Sequence, residues 1–288
     1  MDELERFWAN IFSEDPTLIA EACSQLGAAE RAAVVRQLRA ITADLDRQPD
    51  QRRAAQVALA SIEANPARRI MLASGSPRRR ELIALLGLPF AVALVDVDET
   101  QRPGEDPAAM VLRLSQEKAR AAQYTVQLSN YPTILLSADT TVSLDGEVLG
   151  KPGTADEARA MLARLRGRWH QVFTAITLID TAADRYLSDL AATDVRMRNF
   201  SDAEVETYIA SGDPFDKAGG YAIQHNGFSP VEEVRGCYTN VVGLPLCHVA
   251  RALRALGVEP VTDVTAACQP QARNGCQVRQ LISQAQSG

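Results

Sequence analysis

The sequence predicts an α/β fold, a mixed α+β sheet flanked by helices, with an all-helical appendage in front of it. Three observations predict it. Residues 1–68 place their apolar positions at helical spacing and show no strand pattern. From Ile70 onward, short apolar runs alternate with helical ones, as in layered α/β proteins. The two regimes meet at Asn65-Pro66, where the composition changes. The expected division is a helical extension over 1–68, a main domain over 69–258 and a polar, Gln-rich tail over 259–288 that is expected to be disordered.

Composition narrows the function classes. At 288 residues the chain has room for one large domain and a small one, and 46% hydrophobic content supports a core. No apolar run approaches the roughly 18 residues of a membrane span. The start, Met1-Asp2-Glu3-Leu4-Glu5, lacks the basic-then-apolar build of a signal peptide, so a cytoplasmic location is expected, away from membranes. A net charge of -6 and a pI near 5.2 argue against stable nucleic-acid binding. Any polyanion must be held in a local pocket. Cys23, Cys237, Cys247, Cys268 and Cys276 are odd in number and lack C-x-x-C spacing, so neither a disulfide framework nor zinc is indicated.

In the extension, Asp15-Pro16 reads as a cap followed by a favourable first helical residue. Val34, Val35, Leu38, Ile41 and Leu45 form one apolar stripe, and Val57, Leu59 and Ile62 another after the break at Gln48-Pro49-Asp50. No catalytic set is visible there. A small interaction module with an unknown partner is the expectation.

Ile70 to Ala73 reads as a strand that empties into Ser74-Gly75-Ser76-Pro77-Arg78-Arg79-Arg80. Ser76 suits a helix N-cap and Pro77 the first helical position; Gly87 is placed to end the helix. A strand running straight into a helix start leaves backbone N–H groups aimed at one spot, which attracts anions, and Arg78 and Arg79 add fork-shaped donors suited to phosphate. The same pattern also describes a capped surface helix with solvated arginines. Phe90 to Val95 reads as a strand ending in Asp96-Val97-Asp98-Glu99, either an acidic loop or part of a divalent-cation site. Asp106-Pro107 opens a helix carrying Lys118.

Thr133 to Ala138 has the pattern of a buried strand that delivers Asp139-Thr140-Thr141 at its C-terminal end, where ligand chemistry gathers in open sheets. Val142 to Leu149 reads as a hairpin around Asp145-Gly146, and Gly150-Lys151-Pro152 holds a lysine on a stiff turn. Thr154 with Glu157, and Ser201 with Glu204, are capping boxes. Strands over His170 to Ile179 and Leu187 to Met197 lie between them. In Asp213 to Gln224, Gly219-Gly220 allows close backbone approach and Gln224 offers a carboxamide able to read a base edge. His170 and His225 fit no metal-ligand spacing, and His248 lies on a closing helix over Pro245 to Leu256, where it reads as structural.

Six segments occur together in one order: Leu72-Ala73-Ser74-Gly75-Ser76-Pro77-Arg78-Arg79, Asp98-Glu99, Glu117-Lys118-Ala119, Ala138-Asp139-Thr140, Gly150-Lys151-Pro152 and Val242-Gly243-Leu244-Pro245. In this the chain resembles the Maf family, the septum-formation inhibitors that are nucleoside triphosphate pyrophosphatases. The resemblance spans about residues 69 to 257, and His170-Gln171-Val172, Thr174-Ala175 and Asp216 through Gln224 look like the dTTP/UTP-type branch. The chain departs from the family over His225 to Cys237, where Asn226-Gly227-Phe228-Ser229-Pro230 replaces a Gly-rich segment.

The resemblance implies an elongated mixed sheet like that of Maf and inosine-triphosphatase proteins, commonly in a homodimer. It implies hydrolysis between the α and β phosphates, giving a nucleoside monophosphate and pyrophosphate. Asp139 matches the proton acceptor. Ser74, Ser76, Arg78, Arg79, Lys118, Thr140, Lys151 and Gln224 match substrate-binding positions, with Arg78, Thr140 and Gln224 linked to base choice. Glu99 and Asp139 would hold a divalent metal cation, Mg²⁺ or Mn²⁺. The competing expectation is a non-enzymatic, nucleotide-binding regulator of cell division.

Overall fold

The computed structural model describes residues 2–24, 26, 28–64, 68–126 and 132–268. The chain divides into two compact units, Met1–Arg68 and Arg69–Gly288.

Among the described residues the first unit holds four helices: α1 (Glu3–Ile11), α2 (Pro16–Ser24), α3 (Ala28–Ala43) and α4 (Pro49–Ala64). Asp2 and Glu5 start α1 with a reciprocal capping box. Ile11, Ile19, Cys23, Leu38, Ala55, Ala58 and Ile62 form a core. The buried face of α4 is therefore largely alanine rather than Val57 and Leu59, because small side chains let α3 and α4 approach closely. Leu45, expected on the α3 stripe, lies past the end of that helix and is exposed.

The second unit begins with β1 (Arg69–Ala73), α5 (Pro77–Ala84), β2 (Phe90–Ala93) and α6 (Pro107–Val126). Next come β3 (Thr133–Leu144), β4 (Glu147–Leu149), α7 (Ala155–Leu165), β5 (Trp169–Asp180), β6 (Arg185–Met197) and α8 (Asp202–Ala210). Short 3-10 turns at Asp213–Asp216 and Ala218–Gly220 lead to β7 (Val231–Arg235), α9 (Tyr238–Val242), α10 (Leu246–Ala255) and α11 (Val264–Cys268). The strands form one seven-stranded mixed sheet of order β2-β1-β3-β5-β6-β7, with β4 also on β3. β1 runs parallel to β2 and β3, and the remaining pairs are antiparallel.

One strand organises the unit. β3 does not stop at Ala138 as the sequence implies, but continues to Leu144, because β5 pairs with it along most of its length. Its other edge is shared. β1 covers Thr133 to Ser137 and β4 covers Val142 to Leu144, which leaves Ala138 to Thr141 facing neither strand. Side chains along β3 alternate between faces. Ile134, Leu136 and Ala138 join the core with Leu82, Ile83, Val249 and Leu253 of α5 and α10. Leu135 packs with Ala119 and Ala122 of α6, and the Ser137 hydroxyl donates to the Ser115 carbonyl on the same helix. Asp139 consequently points to the α6 face and Thr140 to the opposite one.

Local signals mostly act as read. Ser76 caps α5, and Ser201 with Glu204 boxes α8. Thr154 caps α7, but the Glu157 carboxylate accepts from the Gly153 N–H, 2.6 Å away, instead of from Thr154. The stretch from residue 259, expected to be disordered, is ordered through Cys268. Val261 and Thr262 donate to the Leu86 carbonyl, and Val264 and Cys268 of α11 are buried in the core. Residues 269–288 lie outside the described residues. Among the described residues no helix is long and apolar enough to cross a membrane.

Candidate active site

The stretch of β3 left uncovered between β1 and β4 opens into a cleft of about 700 Å³. Ser74, Ser76, Arg78, Arg79, Glu99, Lys118, Asp139, Thr140, Lys151 and Gln224 all line it. The fold thus brings together every site residue named from the sequence.

On the α6 face, the Lys118 ammonium lies 2.6 Å from Asp139 Oδ1 and 2.6 Å from Glu99 Oε1. Lys151, on the turn after β4, sits 3.8 Å from the other oxygen of Glu99. Asp139 and Lys118 are both nearly buried, whereas half of the Glu99 side chain is exposed. Burial pushes the Asp139 carboxyl up, and the charges of Lys118 and Arg79 only partly pull it back. For Glu99 burial also raises, but the Lys118 hydrogen bond and the charges of Lys118, Lys151 and Arg79 win, holding it below its ordinary range. The two carboxylates share one lysine yet are shifted in opposite directions.

Of the acidic run before α6, Glu99 alone reaches the cleft. Asp98 accepts from the Thr100 N–H as a turn residue. Among the described residues no group of three or more His, Cys, Asp or Glu could hold a metal ion. Protein oxygens at this place come from the Glu99 and Asp139 pair.

The opposite face is built around Arg79, which does not project as a free fork. Arg79 is partly buried, and that burial lowers its pKa. Nε donates to the Gly243 carbonyl at 2.8 Å, Nη1 to the Ala138 carbonyl at 2.8 Å and to Ser74 Oγ at 3.3 Å, and Nη2 to Thr140 Oγ1 at 3.0 Å. The Ala138 carbonyl is one of the β3 groups left without a strand partner, and Arg79 satisfies it. Ser74 also accepts from the Ser76 N–H, and Ser76 from the Arg79 N–H, so both serines shape the turn itself.

Arg78 reaches across the cleft to Asp216, 3.2 Å away. Asp216 is held in turn by the buried Lys217, which also binds the Asp213 carbonyl and carboxylate. This network fixes the two-glycine turn that delivers Gln224. Gly219 has φ +72°, and a Cβ there would press within 3.1 Å of the Val142 side chain, so the turn needs glycine. Tyr221 lines the cleft with its hydroxyl 2.7 Å from His170 Nε2. Burial drops the His170 pKa to about 4, which leaves a neutral ring. His225 Nδ1 accepts from the Phe228 N–H within a turn, and His248 lies by Asp189.

Sequence reasoning gave no role to Asp216, Lys217, Thr174 or Gly243. Each stood inside a recognisable segment, but their partners lie far off in the chain, and only folding shows them.

The model of the family described as Maf-like protein matches residues 69–256. The chain is 49% identical over 192 residues to a dTTP/UTP pyrophosphatase of Chromobacterium violaceum, a match covering 66% of this chain and 96% of that protein. It is 45% identical over 203 residues to a dTTP/UTP pyrophosphatase of Hahella chejuensis, covering 70% and 100%. With a dTTP/UTP pyrophosphatase of Anaeromyxobacter dehalogenans it shares 48% over 191 residues, covering 66% and 94%.

Proposed function

Because the chain belongs to the Maf-like protein family, we propose that it hydrolyses nucleoside triphosphates between the α and β phosphates, releasing a nucleoside monophosphate and pyrophosphate, with dTTP and UTP preferred. The observation that carries this reading is the buried Asp139 carboxylate, clamped by Lys118 in a cleft that Arg78 and Lys151 also line.

A triphosphate brings about four negative charges, which Arg78, Lys118 and Lys151 offset as charge shifts toward the leaving pyrophosphate. Asp139 Oδ1 is engaged by Lys118, and its other oxygen takes the proton of the attacking water. An upward-shifted carboxyl is the better base for that transfer. A regulator that only binds nucleotide has no use for such a group.

Oxygen donors suit a hard divalent cation, so the Glu99 and Asp139 carboxylates would hold Mg²⁺ or Mn²⁺ beside Lys118. Bound there, Mg²⁺ or Mn²⁺ would supply charge neutralisation on the phosphate oxygens. On the opposite face Arg78, Thr140 and Gln224 choose the base, since polar groups discriminate by being left unpaired with a wrong partner. A homodimer belongs to the proposal on the resemblance alone, and a partner for the helices of residues 1–68 on their reading as an interaction module outside the matched residues.

A rate panel tests the reading. The expected result is kcat/KM for dTTP and UTP at least tenfold above those for ATP and 7-methyl-GTP, the scale of pocket discrimination between bases. Equal rates on all four would refute the pyrimidine preference, and no turnover of any would refute the activity.

A further inference from the structure

We propose that Thr174 on β5 is a specificity-determining positioning residue, which acts by fixing the direction of the Thr140 hydroxyl. The inference rests on the functional reading above and deepens it.

Thr174 is fully buried and is the direct cross-strand partner of Thr140. Its own hydroxyl proton is committed, because Oγ1 donates to the Asn240 carbonyl at 3.0 Å. The two threonine oxygens are 2.9 Å apart. With the Thr174 proton used elsewhere, the proton between them belongs to Thr140. Arg79 Nη2 meanwhile donates to Thr140 Oγ1. The other acceptor near Thr140 is the Gly243 carbonyl, at the longer distance of 3.4 Å and already taken by Arg79 Nε.

One directed chain results: Arg79 to Thr140, Thr140 to Thr174, Thr174 to the Asn240 carbonyl. Its far end is anchored. Asn240 is fully buried, and its amide donates to the Val172 carbonyl and to Thr193 Oγ1. Thr140 alone of the two threonines lines the cleft, and it arrives there with its single proton turned away. A base presenting an acceptor toward Thr140 finds no donor, whereas removing the Thr174 hydroxyl frees the Thr140 proton to rotate. Discrimination would then weaken without any change in residues touching the nucleotide.

The test compares kcat and KM for dTTP and ATP in the full chain, Thr174→Val and Thr174→Ser. In Thr174→Val the dTTP:ATP ratio of kcat/KM should fall about tenfold, the weight of one well-placed hydrogen bond, and the change should appear in KM rather than in kcat. Thr174→Ser, which keeps the hydroxyl, should return the ratio to within about twofold of wild type. A folded Thr174→Val with the wild-type ratio, or Thr174→Ser no better than Thr174→Val, would overturn the proposal. Should Thr174→Val not fold, Thr174→Cys, with its weaker donor and acceptor, should give an intermediate ratio, and a wild-type ratio there overturns it equally. Wild-type protein inactive on both nucleotides would refute the functional reading and this inference together. An active, selective wild type with an unmoved variant ratio refutes the inference alone.

Discussion

Asp139 stands between opposed influences, burial raising its pKa and Lys118 with Arg79 lowering it, and burial prevails. Asn has nearly the same shape but accepts no proton from water. Asp139→Asn should fold normally and lose roughly 10²-fold in kcat, the usual cost of removing a general base. Its affinity for dTTP should hold or rise, since a negative charge facing the phosphates has gone. The acid limb of kcat/KM against pH should also lie above the ordinary aspartate range, because activity disappears as the carboxylate is protonated. His170 makes a separate prediction. Its folded pKa of about 4 lies below its unfolded value, so between pH 6.5 and 4 the unfolded chain binds a proton that the folded one refuses. Stability is therefore fully present above pH 6.5 and declines by up to about 3 kcal/mol as pH falls to 4. Melting temperature should drop more steeply with acid in wild type than in His170→Gln, and parallel curves would contradict this. At this scale Asp139 was legible because it follows an apolar run. The hold of the Gly243 and Ala138 carbonyls on Arg79 was not legible, because both partners lie far from it in the chain.

β3 shows how an element makes a site. Two partners share one of its edges and leave a gap of four residues, Ala138 to Thr141, between them. Alternation then sends Asp139 toward the lysine on α6 and Thr140 toward the Arg79 network, so one short stretch feeds both faces of the cleft. The sequence announced the strand but not its length, since Asp139-Thr140-Thr141 breaks the apolar run while the pairing with β5 continues. Helix starts were legible where the cap is purely local, as at Ser76 and Ser201. α11 was missed because its short run, Val264 to Cys268, becomes a helix only through burial of Val264 and Cys268 against the main core.

At the scale of the molecule, the boundary read at Asn65-Pro66 and the division after Arg68 fall within a few residues of each other. The first unit has its own core, and every residue lining the cleft lies after it. We propose that a chain beginning at Arg69 folds and keeps most of its activity; an insoluble product, or one with a tenth of the full-length kcat/KM, would show that the helices of residues 1–68 are needed. What the whole molecule does rests on one chemical outcome. Full-length protein should be incubated with dTTP and Mg²⁺, and its products separated and quantified. The account predicts dTMP and pyrophosphate in equal amounts from the start of the reaction. Formation of dTDP and inorganic phosphate instead would place the cleavage at the β–γ bond and contradict it.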